Sequence, residues 1–347
     1  MKKTIKFLAA MLVLSLLFIT ACGNSETSGN EGGSGDSGGS DAEPTIIRFG
    51  SGATGDSPTG KGMEKFKEIL EEKSEGRYVV ELYPASQLGD DLKMIDALKA
   101  GTLEMSTPTT APVTGTSPEF GIFDLPFIVK NYETADAVLN SEVGQTLVDT
   151  LPEHGLIGLA WWEYGFRSLT SDKQAVEKVE DFKGQKVRTQ QNSIHIDFFN
   201  ALGANATPLA YSEVFSALEN GTIDAQENPV GAIEDNKYNE VQDYLSLTEH
   251  LYSPIIILMS KKFWDGLSEE DQKLIQDAAT AAGDYQIKLN REQAENSITN
   301  LENAGMKVNE FSEEEKAKAL EMVQPVIEKH KADIGEDLVN QFLEMAK

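Results

Sequence analysis

The order of hydrophobic and polar positions predicts alternating strands and helices early in the chain. Residues 45–49 form a short apolar run typical of a strand, and residues 58–73 carry apolar side chains at helical spacing. Residues 78–83 predict a second strand, and residues 92–99 predict a helix that ends at Gly101. Strands that alternate with helices are typical of an open α/β sheet.

Two segments of the chain share a pattern in which a helix, a glycine and a strand follow one another. Residues 97–104 and residues 217–224 each read as the end of a helix, a glycine, and the start of a strand with an acid. A chain of 347 residues also exceeds the usual size of one hydrophobic core. We therefore expect two similar α/β lobes, with a crevice between them as the default ligand site.

The later part of the chain changes from a strand pattern to a helix pattern. Residues 254–260 are apolar at nearly every position, as expected for a strand covered on both faces. Ser268 and Ser312 each precede three acids, which is typical of a helix N-cap. The prediction is an α/β clamshell in which a mixed sheet flanked by helices builds each lobe and the C-terminal region is helical.

The first residues read as a targeting segment. Lysines precede an apolar run at residues 7–19, which is too short to span a bilayer comfortably. The run ends at Cys22, the only cysteine, in a sequence that resembles the lipobox of bacterial lipoproteins. We expect residues 1–21 to be a signal peptide, Cys22 to carry lipid, and residues 22–44 to be a flexible linker with a reach of roughly 26 Å.

Charge and composition exclude several classes of function. The chain has 57 acidic and 30 basic side chains, a formal charge of −27, which repels nucleic acid and anionic lipid. Its four histidines have no metal-ligand spacing, and no hydrolase signature occurs. We therefore predict no metal site, no cofactor and no catalytic residue.

A glycine pattern keeps an enzyme open as an alternative. Residues 50–55 match G-x-G-x-x-G after a predicted strand, which suggests a dinucleotide site and a secreted NAD-linked sugar-acid oxidoreductase. However, Pro58 delays the helix, and no ribose-binding acid follows the second strand. A surface adhesion lipoprotein without a small ligand is a further alternative.

Two arginines are the candidate binding residues. Arg167 and Arg188 lie in strand-like sequence rather than in charged helices. A guanidinium can grip a carboxylate through two charge-assisted hydrogen bonds. The alternative is that either arginine forms a structural salt bridge with one of the many acids.

Several motifs in the same order resemble the solute-binding proteins of TRAP transporters. These motifs are at residues 82–91, 165–167, 182–188, 202–204, 207–214 and 224–229. The resemblance covers roughly residues 45–330. It implies two lobes that close over a small organic acid and a membrane permease as partner. It also implies lobe I at residues 45–164 plus 254–293, and lobe II at residues 165–253 plus 294–347.

The resemblance also implies roles for individual residues. Arg188 would form the main salt bridge to the ligand carboxylate, and Arg167 and Asn228 would add contacts to that group. Tyr211 and Asp91 would face the rest of the ligand. The remaining residues expected to line the cleft are Gly52, Gln191 and Asn192.

The sequence also narrows the expected solute. Sialic acid is disfavoured because Thr109 and Pro112 stand where sialic-acid binders carry a Glu and an Arg. A sugar acid such as a uronate or an aldonate is favoured, partly because Trp161, Trp162 and Tyr164 precede Arg167. C4-dicarboxylates and 2-oxo acids stay open. The expected location is the extracytoplasmic face of the cell membrane, with a linker like those of Gram-positive surface lipoproteins.

Overall fold

A mixed β-sheet runs through the part of the chain that the structure describes, residues 43–346 of a computed structural model. The predicted signal peptide, Cys22 and the linker as far as residue 42 lie outside the described residues. The strands are β1 (Thr45–Gly50), β2 (Tyr78–Tyr83), β3 (Met105–Ser106), β4 (Leu156–Ser171), β5 (Lys186–Thr189), β6 (Asn205–Pro208), β7 (Ala225–Pro229), β8 (Tyr244–Ser260) and β9 (Lys307–Glu310).

Helices cover the sheet and form the C-terminal region. The α-helices are α1 (Pro58–Lys73), α2 (Asp91–Ala100), α3 (Thr110–Val113), α4 (Tyr132–Leu139), α5 (Glu142–Thr150), α6 (Ser193–Ala201), α7 (Val214–Glu219), α8 (Val230–Asp235), α9 (Lys261–Trp264), α10 (Glu269–Asn303), α11 (Glu313–Ile334) and α12 (Glu336–Met345). Short 3-10 turns are Pro118–Asp124, Leu151–His154, Val179–Phe182, Tyr211–Glu213 and Tyr238–Glu240. Among the described residues, no helix is both long and apolar enough to cross a membrane.

The local predictions agree with these bounds. β1, β2 and α1 lie where the hydrophobic pattern placed them. Gly101 and Gly221 have φ angles of 73° and 71°, so both repeats end a helix with a left-handed glycine. The side chains of Ser268 and Ser312 accept hydrogen bonds from Asp271 N and Glu315 N at 3.1 and 3.3 Å, which confirms both N-caps.

Two long strands join the sheets that the sequence predicted separately for each lobe. The strand order is β2-β1-β3-β8-β4-β7-β5-β6, with β9 beside β8. The strand predicted at residues 254–260 is only the last part of β8, which runs for 17 residues antiparallel to β4. The sheet is therefore continuous. We call the end with β1, β2 and β3 lobe I and the end with β5, β6 and β7 lobe II.

Helix α10 packs along both lobes. In lobe I, the Trp162 indole nitrogen donates to the α10 carbonyl of Ala279 at 3.1 Å. In lobe II, the Ser297 hydroxyl donates to Glu234 of α8 at 2.5 Å. Trp162 is fully buried in the core of lobe I, so it is not an aromatic face of the ligand site. One helix and two strands thus connect the lobes, while the predicted residue boundaries between them stay a prediction.

Candidate ligand-binding cleft

Residues from both lobes line a cavity of about 50 Å³ at the carboxyl ends of parallel strands. β1 is parallel to β3 in lobe I, and β5 is parallel to β7 in lobe II. Open α/β sheets bind ligands at this edge, because side chains and loops there converge. The lining residues are Ser51, Gly52, Ala53, Thr59, Asp90, Asp91, Thr107, Thr109, Pro112, Tyr164, Arg188, Gln190, Gln191, Leu209, Tyr211, Asn228 and Ile255.

Arg188 supplies the positive charge of this cleft. It lies on β5, and its side chain is buried. The Leu209 carbonyl accepts from its Nε at 3.1 Å and from its Nη2 at 2.7 Å, which fixes the plane of the guanidinium. Nη1 is buried and has no hydrogen-bond partner among the described residues. A buried cationic donor without a partner is costly, so this atom is a strong candidate to meet an anion.

Burial lowers the pKa of Arg188 from its usual value, and the nearby charge of Arg167 acts in the same direction. The charge of Glu227 opposes this shift. Because an arginine starts with a pKa above 12, the guanidinium keeps its charge at neutral pH. The site can therefore act as a fixed cation in a water-poor environment.

Arg167 lies behind the cleft and is neutralised by protein groups. Its guanidinium bonds to the Glu227 carboxylate, with Nη2 at 2.9 Å from Oε1, and it also donates from Nη2 to the Glu227 carbonyl at 2.6 Å. Burial lowers the pKa of Arg167, but the charge of Glu227 and the bonds to it outweigh that effect and raise it. Arg167 is not among the residues that line the cavity. Its contact with a ligand stays a prediction.

Asn228 connects Arg167 to the cleft. Its Oδ1 accepts from Arg167 Nη2 at 3.1 Å, and its Nδ2 donates to Gln226 Oε1 at 2.6 Å. Asn228 lines the cavity, whereas Arg167 does not line it and bonds to this amide. The β4–β7 register explains the arrangement, because Ser168 pairs with Asn228 and places Arg167 beside the end of β7.

A pair of tyrosines closes another side of the cleft. Tyr164 donates its hydroxyl hydrogen to the Tyr211 hydroxyl at 2.9 Å, and Asn236 Nδ2 donates to the same oxygen at 2.5 Å. The Tyr211 hydroxyl therefore accepts two hydrogen bonds and keeps its own hydrogen for a ligand acceptor. Burial raises the pKa of both tyrosines, so both stay neutral donors. Of the three aromatic residues considered before Arg167, only Tyr164 lines the cavity.

Asp91 and Gly52 lie together on the lobe I side. A Cβ atom added to Gly52 would be 3.6 Å from Asp91 Oδ1 and 3.7 Å from the Tyr211 ring. The glycine therefore leaves Asp91 and Tyr211 without a side chain between them. Burial raises the pKa of Asp91 from 3.8 to about 7; Asp90 adds to the shift and Arg188 opposes it.

The segment after β5 contributes some residues to the cleft and one residue to the cap of α6. Gln190 Nε2 donates across the cleft to Thr109 Oγ1 at 2.8 Å, and its Oε1 is buried without a partner among the described residues. Gln191 lines the cavity. Asn192 does not: its Oδ1 caps α6 by accepting from Ile194 N at 2.7 Å, and its Nδ2 donates to Asp124 at 2.8 Å.

Comparison with known proteins identifies the family. Residues 49–333 match the bacterial extracellular solute-binding protein family 7. The chain belongs to this family. A sugar acid binding protein from Advenella mimigardefordensis, solved with galactonate, is 42% identical with a TM-score of 0.86 and covers 88% of this chain and 99% of that chain. A TRAP periplasmic solute-binding protein from Polaromonas, bound to D-erythronate, is 36% identical with a TM-score of 0.83 and covers 86% and 98%.

A curated relative extends the comparison to another class of acid. The C4-dicarboxylate-binding periplasmic protein of Rhodobacter capsulatus is 34% identical, over 86% of this chain and 90% of the relative. The resemblance to TRAP solute-binding proteins and the two-lobed α/β prediction are confirmed. These family 7 relatives are binding proteins that work outside the cytoplasm.

In this family 7 protein, the glycines at residues 50–55 contribute to the wall of the cleft and to the packing of α2 against β1. A Cβ atom on Gly50 would be 2.7 Å from Met94 Sδ, so this glycine allows α2 to approach β1. Gly52 lines the cavity, and α1 starts only at Pro58. A dinucleotide site needs the helix to begin at the glycines, so that its N-terminus meets the pyrophosphate. Among the described residues, no cluster of side chains is suited to hold a metal ion.

The sequence predictions missed some polar residues of the cleft. Ser51 follows β1 directly, and Thr107 follows β3; the Thr107 hydroxyl donates to Ser51 Oγ at 2.7 Å. Because these parallel strands end at the same edge, the residues after them meet. Their positions directly after two predicted strands were the available signal.

Proposed function

We propose that this protein is the extracytoplasmic solute-binding component of a TRAP transporter, which captures a small organic acid and delivers it to the membrane permease. A sugar acid is the favoured solute. The observation that carries the proposal is the buried Arg188 side chain, which lines the cleft and whose Nη1 has no hydrogen-bond partner among the described residues. The family membership and the galactonate and erythronate bound by similar structures support this choice.

Binding and closure act together in this proposal. The ligand carboxylate accepts from Arg188 Nη1, and hydroxyl groups of the ligand meet Tyr211 and Asp91. Cross-cleft contacts, such as Gln190 with Thr109 at 2.8 Å, hold the lobes together around the ligand. Closure removes water from the ion pair, which strengthens its electrostatic attraction. Arg167 and Asn228 contribute by supporting the carboxylate end of the site, and Gln191 and Gly52 complete its wall.

The N-terminal segment supports a location of this protein at the membrane. We infer that residues 1–21 are removed, that Cys22 carries lipid, and that residues 22–44 tether the binding domain to the outer face of the membrane. The apolar run before a sole cysteine supports this inference. A lipoprotein of this kind suits a Gram-positive cell surface, where no outer membrane retains a free binding protein. Mass measurement of the protein from its native membrane would show a diacylated cysteine at its new N-terminus.

The experiment that tests the function is thermal unfolding of the purified protein with uronates, aldonates, C4-dicarboxylates and 2-oxo acids. A ligand at a thousand times its Kd adds about 4 kcal/mol to the free energy of unfolding. We expect one class to raise the Tm clearly. Arg188→Ala should lose about 2–5 kcal/mol of binding free energy, and Arg188→Lys should recover only part of it.

A matched control is Arg77→Ala, which removes an arginine that lies outside the cleft in an exposed pair with Asp271. It should leave ligand affinity unchanged. Wild-type affinity in Arg188→Ala would contradict the proposed site. If no acid stabilises the protein, the adhesion alternative gains support, and turnover of a sugar acid with NAD would support the oxidoreductase instead.

C4-dicarboxylate binding is the second candidate, because the relative from Rhodobacter capsulatus is named for it. The same panel of acids separates it from sugar-acid binding. The number and sign of the charged residues in the cleft are relevant to the choice between a sugar acid and a C4-dicarboxylate.

A further inference from the structure

The charges that line the cleft are unequal in number. Among the described lining residues, Arg188 is the one cation, while Asp90 and Asp91 are both acids. The Leu209 carbonyl accepts from Nε and Nη2 of Arg188, which uses two of the five N–H hydrogens of the guanidinium, and Nη1 has no partner among the described residues. Arg167 is occupied by Glu227. The cleft therefore offers free cationic donors to one carboxylate and not to two.

The two acids differ in what they bind within the protein. Asp90 caps α2: its Oδ1 accepts from Lys93 N at 2.9 Å, and its Oδ2 lies 3.3 Å from Lys93 Nζ. The Asp91 carboxylate makes no hydrogen bond and no ion pair with any described residue. It lies next to Gly52, which has no side chain that could cover the Asp91 carboxylate. Asp91 is thus left to the ligand, and in its ionised form it can only accept hydrogen bonds.

The cleft contains a second oxygen acceptor that is left to the ligand. Gln190 Oε1 is buried and has no partner among the described residues, because the amide nitrogen of the same side chain is fixed on Thr109. Asp91 and Gln190 both line the cavity, so the cleft presents oxygen acceptors as well as the Arg188 donor. Oxygen acceptors bind the hydroxyl groups of a polyhydroxy acid. They repel, or leave unpaired, the oxygens of a second carboxylate.

We infer that Asp91 selects acids with a single carboxylate and a hydroxylated chain over acids with a second carboxylate at the far end, an inference that rests on the proposed function. A ligand hydroxyl donates to the Asp91 carboxylate and gains a charge-assisted hydrogen bond. A second ligand carboxylate in that place meets a like charge in a region of low dielectric. Specificity then comes from repulsion of the wrong ligand as well as from attraction of the right one.

The test measures the affinities of matched acid pairs by isothermal titration calorimetry with the full protein. Each pair shares its carbon chain and differs at the terminal carbon: galactonate with galactarate, gluconate with glucarate, and erythronate with meso-tartrate. Succinate and malate are included. We expect the best monocarboxylate to bind at least about tenfold tighter than its dicarboxylate partner. Asp91→Asn should reduce this ratio to about one, because asparagine keeps the shape and removes the charge.

Asp96→Asn is the matched control, because it removes an exposed charge from the same helix. It should leave the ratio as in the wild type. A dicarboxylate as the tightest ligand, or a ratio unchanged in Asp91→Asn, would overturn the inference while leaving carboxylate capture intact. If no acid binds at millimolar concentration, the proposed function fails and this inference fails with it.

The pH dependence of the preference for the monocarboxylate gives an independent test. The charged groups that act on Asp91 are Asp90 and Arg188, and Tyr211 beside Gly52 stays neutral. Because the pKa of Asp91 is about 7, its charge is mostly present at pH 8 and mostly absent at pH 6. The preference for the monocarboxylate should therefore increase from pH 6 to pH 8 and stay constant in Asp91→Asn. A constant preference in the wild type would contradict the assignment.

Discussion

Replacing Glu227 by Gln tests the buried ion pair that supports the cleft. The side chains of Glu227 and Arg167 are both fully buried, and the Arg167 guanidinium makes two hydrogen bonds to the Glu227 carboxylate. His250 adds a third contact, with its Nε2 at 3.2 Å from Glu227 Oε2. Glutamine keeps the size of the side chain but removes the charge. The Arg167 charge then stays buried without compensation.

The expected cost follows from that uncompensated charge. Breaking a buried ion pair by removing one partner costs about 3–5 kcal/mol. For a domain of about 300 residues, with an unfolding entropy of about 2.1 cal/mol/K per residue, this equals a drop in Tm of roughly 5–8 °C. Urea unfolding followed by circular dichroism measures the free energy, and thermal unfolding checks it.

The pH dependence gives a sharper test of the same pair. Burial alone would raise the pKa of Glu227, but the charge of Arg167 and the bonds from His250 and Arg167 hold it well below 4.5. The stabilisation is therefore fully present above pH 4.5 and is lost only as the pH falls through the low folded-state pKa. The cost of Glu227→Gln should be the same at pH 7 and pH 5.

The control for this experiment is an exposed ion pair. Asp277 lies 2.9 Å from Lys273 on α10, and both side chains are largely exposed. Asp277→Asn should cost no more than about 0.5 kcal/mol. A cost below about 1 kcal/mol for Glu227→Gln, or a cost that disappears by pH 5, would refute our account of the buried pair. Replacing Arg167 and Glu227 together by Met and Leu should recover most of the stability, because no unpaired charge remains.

Two further predictions concern packing and the ligand site. Gly283→Ala should destabilise the protein by about 1–3 kcal/mol in urea unfolding, because its Cβ would lie 2.8 Å from the Trp162 ring. Gly115→Ala, whose Cβ would have only a carbonyl oxygen at 3.9 Å, should be nearly neutral; equal costs would contradict the packing argument. Tyr211→Phe removes a ligand donor and should weaken binding about fivefold in calorimetry, without a change in Tm of more than a few degrees. Unchanged affinity would exclude Tyr211 from the site.

Much of the local structure could be predicted because its causes lie close together in the sequence. The strand β1 and the helix α1 follow from the spacing of apolar residues. The cap at Ser268 and the left-handed turn at Gly101 each depend on a few neighbouring residues. The position of Arg188 in the cleft could be anticipated for a similar reason, because the motif around it is continuous from residue 182 to residue 188, while its contact with a ligand stays a prediction.

The partners of buried polar side chains could not be predicted in this way. Arg167 pairs with Glu227, 60 positions away, because β4 and β7 are neighbours in the sheet. The sequence contains 57 acids, and nothing local selects one of them. Asn192 shows the same difficulty: its position beside Gln191 suggests a cleft residue, but its side chain caps α6 and bonds to Asp124. Strand order decides these contacts, and strand order is a property of the whole sheet.

The different surroundings of the two arginines explain how one acidic protein can hold a site for an anion. With a formal charge of −27, a general attraction for anions is excluded, so the attraction has to be local. Arg167 is neutralised by Glu227 and supports the structure. Arg188 is also buried, and among the described residues its guanidinium bonds to a backbone carbonyl and pairs with no carboxylate. In the proposed function, a ligand carboxylate would relieve the energetic cost of burying Arg188 and would thereby link closure of the lobes to the charge of the solute.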